Sequence, residues 1–446
     1  MLIKSKKNLS ATLGFLILLT SLVYLSEKLP PFNTWKSTLE DAIASMNDAP
    51  LLGKLLFPHS GYRADIPLRN NMLMLVGDGD DWDPSDNSEI ISGSLGKTTQ
   101  IAALPTPQVA PYGLELNDGT VLMFAGLPPS CGPSHYFHSN SLWRCSPPQP
   151  SFRYFPQDNL WQAEPSISIP YTRGYSWQTG NSGLASQWAR NDALVRKNGE
   201  VAWIEGGEVF DSGIKTPQVS VLKQWKPDAK NPNEKQATPL RKARTQSTLI
   251  ELDDGRLAVM GGDAQLERVA LEKECLDCPD EFVSIGPFQA ETSTEVLNES
   301  NAANPVWQDG PVANYGGGRA LKLANGRVFK LSLIGVFDEQ GYRAEIADAG
   351  LTHWEIAPPF PLAPALIRNV SVVGNRVIIL ADKIQTIVWD DDSKSWLIWK
   401  NWPKGAGLQS NGFDPRAPIS ITSLANKKRV IVRYFDTFEI VNLPKE

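Results

Sequence analysis

From about residue 63 onward, the chain repeats one hydrophobic pattern. An alternating apolar run is followed by a short turn rich in Asn, Asp and Gly, and then by a second apolar run that often ends in glycine. The clear copies are Leu114–Gly126, Leu194–Gly207, Leu249–Gly262 and Leu321–Leu333, and the weaker ones are Ile66–Gly77, Val370–Ala381 and Ile419–Tyr434. Asn-Gly and Asp-Gly turns provide the positive φ angles that tight hairpins require. The pattern therefore predicts seven β-hairpins.

A second pattern follows most of these hairpins: a strand, a polar turn and a strand that carries tryptophan. It occurs at Thr294–Trp307, Arg343–Trp354, Thr386–Trp396 and Asn159–Trp161. The hairpin turns lie 48 to 80 residues apart, and the shorter intervals agree with a repeat of about 50 residues. An ordinary β-sandwich is the alternative fold, but it would leave this recurrence unexplained.

The two patterns together resemble the kelch repeat, and the version with long loops resembles the central domain of the galactose oxidase family. The resemblance covers about residues 63–443 and implies a β-propeller built of four-stranded blades. We therefore expect an all-β, kelch-like propeller with seven blades; because three copies are weak, six blades are also compatible with the sequence.

Ring closure is also suggested by the sequence. The last unit supplies three strands, Ile419–Leu424, Arg429–Tyr434 and Phe438–Leu443, and then the chain ends. In propellers of this kind the missing strand often comes from the other terminus. We expect a strand within Leu51–Tyr62 to fill this place and to remove two exposed sheet edges.

The N-terminal segment has the pattern of a membrane anchor. Lys4, Lys6 and Lys7 precede the uncharged run Asn8–Ser26, whose 19 residues are enough to span a bilayer. The lysines place the N-terminus in the cytoplasm and the rest of the chain outside. No small-x-small cleavage site follows the run. We predict an uncleaved signal-anchor helix, with a cleaved signal peptide and a secreted or periplasmic protein as the alternative.

This reading divides the chain into three parts. Residues 1–28 form the signal-anchor helix, and residues 29–62 form a tether with a short helix and the closing strand. Residues 63–446 form the propeller. The expected location is the periplasmic side of a bacterial inner membrane.

Composition narrows the function classes. Of 446 residues, 41% are hydrophobic, which is enough for a packed core, and the net charge of −6 disfavours a nucleic-acid binder. If the chain is exported, its four cysteines are expected to form disulfide bonds, because thiols tend to pair outside the cytoplasm. Three connectivities are open. We favour pairing between neighbours in the sequence, namely Cys131 with Cys145 and Cys275 with Cys278.

Cofactor chemistry has little support in the sequence. Cys131, His135, His138 and Cys145 are residue types that bind zinc, but their spacing matches no known zinc pattern. A disulfide beside two loop histidines is the simpler interpretation. The copper site of the galactose oxidase family needs two tyrosines and two histidines, and its ligands from late blades have no match here. We therefore predict no metal and no cofactor.

Long insertions and arginines point to one face of the predicted propeller. Leu127–Ser141, Arg173–Arg190 and Asp263–Thr292 are expected to lie together there, because all three join second to third strands or one blade to the next. Six arginines stand at or just before the innermost strands: Arg63, Arg190, Arg244, Arg319, Arg368 and Arg416. They are candidates for binding an anionic ligand. Alternatively, each one forms hydrogen bonds to the neighbouring blade.

These observations lead to two hypotheses about function. In the first, the protein is a membrane-anchored propeller that binds a protein partner or an anionic glycan through its loop-bearing face. In the second, it is a carbohydrate-active enzyme resembling the kelch-type sialic acid mutarotases. No acidic residue is singled out by spacing, so the sequence identifies no catalytic residue.

Overall fold

The computed structural model describes residues 50–57, 64–77, 85–108, 111–124, 151–164, 193–206, 220–227, 238–244, 247–264, 269–270, 282–283, 289–299, 305–334, 341–361, 367–381, 385–401, 420–425 and 429–443. All regular elements in these ranges are β-strands. None of the ranges contains a helix long and apolar enough to cross a membrane. The predicted signal-anchor over residues 1–28 and the short tether helix lie outside the described residues.

Seven four-stranded antiparallel sheets form the seven blades of a propeller. The strands of the first half are β1 (Leu51–Lys54); β2 (Ala64–Leu68), β3 (Met72–Val76), β4 (Ser88–Ser92) and β5 (Lys97–Gln100) in blade 1; β6 (Tyr112–Glu115), β7 (Val121–Phe124), β8 (Ser151–Phe155) and β9 (Leu160–Glu164) in blade 2; and β10 (Ala193–Val195), β11 (Val201–Gly206), β12 (Ser220–Trp225) and β13 (Thr238–Pro239) in blade 3.

Blade 4 contains β14 (Thr248–Glu251), β15 (Leu257–Met260), β20 (Thr294–Asn298) and β21 (Val306–Asp309), and its insertion adds two small ribbons, β16 (Asp263–Ala264) with β19 (Gln289–Ala290) and β17 (Val269–Ala270) with β18 (Phe282–Val283). The remaining strands are β22 (Arg319–Lys322), β23 (Val328–Ile334), β24 (Gly341–Ala347) and β25 (Trp354–Ile356) in blade 5; β26 (Ile367–Val373), β27 (Arg376–Ala381), β28 (Gln385–Asp390) and β29 (Ser395–Asn401) in blade 6; and β30 (Ser420–Ser423), β31 (Arg429–Arg433) and β32 (Thr437–Asn442) in blade 7.

The N-terminal strand β1 closes the ring, as the sequence predicts. It pairs antiparallel with β32, with Leu51 opposite Ile440, and becomes the outermost strand of blade 7. Gly53 is required at this edge, because a Cβ atom there would lie 2.0 Å from the ring of Phe438. The first and last described parts of the chain are thus held in one sheet.

The seven predicted hairpins are the first two strands of the seven blades, which confirms the blade count. Six of their turns contain a residue with positive φ, at Asn71 (55°), Gly119 (85°), Gly199 (85°), Gly255 (88°), Gly326 (82°) and Gly374 (64°). The tip of the seventh turn lies outside the described residues. Local turn chemistry therefore sets the start of every blade whose turn is described.

The hydrophobic core lies between neighbouring blades, because successive side chains of a strand point to opposite faces of its sheet. In β23, Phe329 packs in a cluster with blade 6, whereas Val328 packs in a cluster with blade 4. Each blade therefore packs against a neighbour on both faces, and the ends of its strands, with their turns and connections, lie at the two ends of the ring.

Strand register defines these two ends. In blade 4, Thr248 lies opposite Met260, and Met260 lies opposite Thr294. The start of an innermost strand and the connection from second to third strand therefore share one end, which we call the loop face. The hairpin turns lie at the other end, the hairpin face.

The strands that flank the three predicted insertions end and begin at the loop face, whereas most residues of the insertions lie outside the described ranges. Residues 127–141 join β7 to β8, residues 173–190 join β9 to β10, and residues 263–292 join β15 to β20. Strand β12 ends and β13 begins at the hairpin face, so the segment between them starts and finishes there.

Candidate functional site

Charged side chains at the hairpin face bind one another across blade boundaries. Arg196 of blade 3 is the clearest case, since its guanidinium donates to Glu299 at 2.8 Å and to the carbonyl oxygen of Gly255 at 2.9 Å. Burial alone would lower the pKa of Arg196, but Glu299 and Glu251 raise it. These contacts join the hairpin turns of adjacent blades and have a structural role.

At the loop face, a buried glutamate recurs in the third strand of three blades: Glu89, Glu295 and Glu345, each at most 1% exposed. Each carboxylate accepts hydrogen bonds from backbone N–H groups of the segment that enters its blade, those of Leu56, of Arg241 and Lys242, and of Asn314 and Tyr315, respectively. Buried backbone donors need such partners. The glutamates therefore fix the connections between blades.

Two of these glutamates also bind a buried cation. Arg244 Nη2 lies 2.7 Å from Glu295 Oε1, and Lys330 Nζ lies 3.3 Å from Glu345 Oε2. Burial lowers the pKa of the Lys330 ammonium, and Glu345 opposes that shift. Both pairs lie inside the protein, away from solvent.

Arg244, one of the six predicted ligand-binding arginines, is fully buried. Besides Glu295, its two terminal nitrogens donate to the carbonyl oxygen of Ser293 at 2.9 Å and to the Ser293 hydroxyl at 3.0 Å. These contacts lie within one blade. They give Arg244 a structural role in place of exposure at a channel mouth. Its guanidinium bonds to its own blade, however, whereas the structural alternative expected bonds to the neighbouring blade.

Of the other predicted site residues, the structure describes only Arg319 and Arg368. Arg319 is the first residue of β22 and is half-buried at the loop face. Arg368 lies in β26, at an irregularity in its pairing with β27. The remaining candidates lie outside the described residues: Arg63, Arg190, Arg416, Cys131, Cys145, Cys275 and Cys278. The predicted disulfides and the contribution of these arginines to ligand binding stay predictions.

The described ranges contain no group of three His, Cys, Asp or Glu side chains arranged to hold a metal ion. His135 and His138 lie outside these ranges.

Arg433 forms a different kind of site at the loop face. It is the last residue of β31, and its side chain is 0% exposed. Its Nε lies 3.3 Å from Asp65 Oδ2 and 3.2 Å from Ser420 Oγ, and the Ser420 hydroxyl also donates to Asp65. Nη1 and Nη2 are buried and have no hydrogen-bond partner in the structure of the described residues. One edge of the guanidinium is thus held in place, while its two outer nitrogens are buried without an acceptor among the described residues.

The sequence analysis missed Arg433, although a signal was present. A charged residue stands where the second strand of a blade is otherwise apolar, as Arg433 does after Val430–Val432 and Lys330 does after Phe329. The recurring glutamates also leave a signal in the sequence. Each occupies the equivalent register position in the third strand of its blade, and each is followed by a β-branched residue.

Comparison with known proteins assigns no family to this chain. No family model matches the sequence, and no curated protein matches it. Among solved structures, the chain is similar to that of YjhT, with 12% sequence identity and a TM-score of 0.44, over 78% of this chain and 99% of YjhT. Identity at this level assigns no function, and membership of the kelch family stays a prediction.

Proposed function

We propose that this protein is a binding propeller that contacts a protein partner or a glycan through its loop face. The observation that carries the proposal is the strand order, since all three long insertions begin and end at this one face. Long loops on a rigid scaffold are where binding residues usually lie.

The hairpin face is built differently. Its described turns are short, and their charged groups bond to neighbouring blades, as Arg196 does with Glu251 and Glu299. Such contacts stabilise the ring and occupy charged side chains that could otherwise bind a ligand. The contrast between the two faces supports ligand binding at the loop face.

The direction of β1 indicates which face of the propeller would point toward a membrane. Lys54 lies opposite Thr437 at the loop-face end of blade 7, and Leu51 lies opposite Ile440 toward the hairpin face. The chain therefore enters the propeller from the hairpin side. If residues 1–28 anchor the protein, the loop face points away from the attachment point. We propose that the propeller is exported and held at the periplasmic side of the membrane in this way.

Site-specific photo-crosslinking in cells that naturally make the protein tests this proposal. Benzoylphenylalanine replaces Val312, which is 67% exposed in the loop-face connection between β21 and β22. The matched control replaces Asp254, whose side chain is 52% exposed in a hairpin turn. We expect a discrete adduct with the Val312 probe and none with the Asp254 probe.

Digestion of the adduct with protease or with glycosidases identifies a protein or a glycan ligand. Adducts with the Asp254 probe alone, or in equal amount with both probes, would contradict the assignment of the loop face.

A further inference from the structure

We propose that Arg433 binds a carboxylate group at the loop face, between blade 7 and blade 1. This inference rests on the proposed function and specifies the chemistry that its ligand presents. The carboxylate belongs either to an acidic sugar or to an acidic side chain of a partner protein.

The unsatisfied donors of Arg433 are the first reason. A buried guanidinium whose Nη1 and Nη2 lack acceptors is unfavourable, because its N–H groups have lost hydration without gaining hydrogen bonds. An acceptor supplied by a ligand would satisfy these donors. The two terminal nitrogens form a planar fork that matches the two oxygens of a carboxylate.

Comparison with Arg244 shows that this arrangement is specific. Both arginine side chains are 0% exposed. Both terminal nitrogens of Arg244 donate to groups of its own blade, on Ser293 and Glu295. A buried arginine in this protein can thus have acceptors for both terminal nitrogens, and Arg433 differs in lacking them among the described residues.

The surroundings of Arg433 hold the guanidinium in a fixed orientation. Ser420 and Asp65 both contact its Nε edge, so the opposite edge keeps its direction. A second carboxylate of this interface, Glu89, lies two strands outward from Asp65 in the same row and accepts the N–H of Leu56.

The site also lies where the ring closes. Ser420 begins β30, the innermost strand of blade 7, and Asp65 is in β2, the innermost strand of blade 1. A carboxylate bound to Arg433 therefore lies near the propeller axis and contacts the junction of the last and first blades. We expect binding to raise the melting temperature of the protein.

Calorimetric titration of the purified full chain tests the inference with three probes: acetate, glucuronate and N-acetylglutamate amide, each compared with NaCl at equal ionic strength. Arg433→Lys keeps the charge but loses the fork, and it should weaken binding at least about tenfold. Arg244→Lys is the matched control and should bind as the unmodified chain does.

If Arg433→Lys fails to fold, Ser420→Ala provides a second test, because it removes one contact that orients the guanidinium and should also weaken binding. Tighter binding of glucuronate than of N-acetylglutamate amide supports a glycan source, and the reverse order supports a protein source. Failure of all three probes to bind, or equal binding by Arg433→Lys, overturns the inference. If the Val312 probe still gives its adduct in that case, the proposed function stands and only the role of Arg433 is wrong.

Discussion

Replacing Arg244 by methionine should strongly destabilise the protein, because it leaves the Glu295 carboxylate buried without its cation. Glu295 is 1% exposed and would keep its bonds from the backbone N–H groups of Arg241 at 2.7 Å and Lys242 at 3.2 Å. Removing one partner of a buried ion pair costs about 3–5 kcal/mol. The carbonyl oxygen of Ser293 would also lose a donor. We therefore expect a loss in the free energy of unfolding of about 3–5 kcal/mol.

Urea unfolding measured by tryptophan fluorescence is a suitable assay, since the chain has 14 tryptophans. The control is Arg256→Met, which breaks the ion pair with Asp254, whose two side chains are 44% and 52% exposed. Exposed pairs contribute at most about 1 kcal/mol. A loss for Arg244→Met no larger than that of the control would refute the structural role of Arg244.

A double variant separates the charge from the hydrogen bonds. Arg244→Met combined with Glu295→Gln removes both charges, while the glutamine oxygen still accepts a backbone N–H from Arg241 or Lys242. Replacing a buried pair by uncharged groups is much less costly than breaking it. The double variant should therefore be more stable than Arg244→Met alone; a less stable double variant would show that charge burial is not the main cost.

Three further predictions concern stability. Gly53→Val should prevent β1 from pairing, because a Cβ atom there clashes with Phe438, and should lower the melting temperature; an unchanged value would contradict the closure geometry. Gly255→Ala should cost about 1–2 kcal/mol in urea unfolding, since its φ is 88° while no atom lies within 4 Å of the added methyl group; a neutral effect would contradict this. Burial alone would raise the pKa of Glu291, but hydrogen bonds from Ser293 lower it, so its carboxylate stabilises the protein above the unfolded-state pKa of about 4.3. This stabilisation is lost as the pH falls through the lower folded-state pKa. Acid titration of stability should be shallower for Glu291→Gln, and an identical profile would refute the role of Glu291.

The fold could be predicted from the sequence because its repeating unit is local. A turn such as Asp253–Gly255 needs only a few adjacent residues to fix its backbone, and every blade begins with such a hairpin. The closing strand followed from the absence of a fourth strand in the last unit. Its pairing partner was then set by the sheet edge that remained open.

Side-chain pairing could not be predicted in the same way. Arg244 and Glu295 are separated by 51 positions in the sequence and meet only when blade 4 is assembled. Sequence position marked Arg244 as a candidate, but burial and the identity of its partner depend on tertiary packing. Arg433 was missed because it ends the apolar second strand of its blade, whereas the candidate arginines were those at the starts of innermost strands.

A crystal structure of the full chain with glucuronate at saturating concentration tests the central claim most directly, namely that the ligand binds at the loop face through Arg433. We predict carboxylate oxygens about 2.7–2.9 Å from both Nη1 and Nη2 of Arg433. Water at both nitrogens, or the Asp65 carboxylate turned to bind them, with the sugar absent or at the hairpin face, would contradict the account.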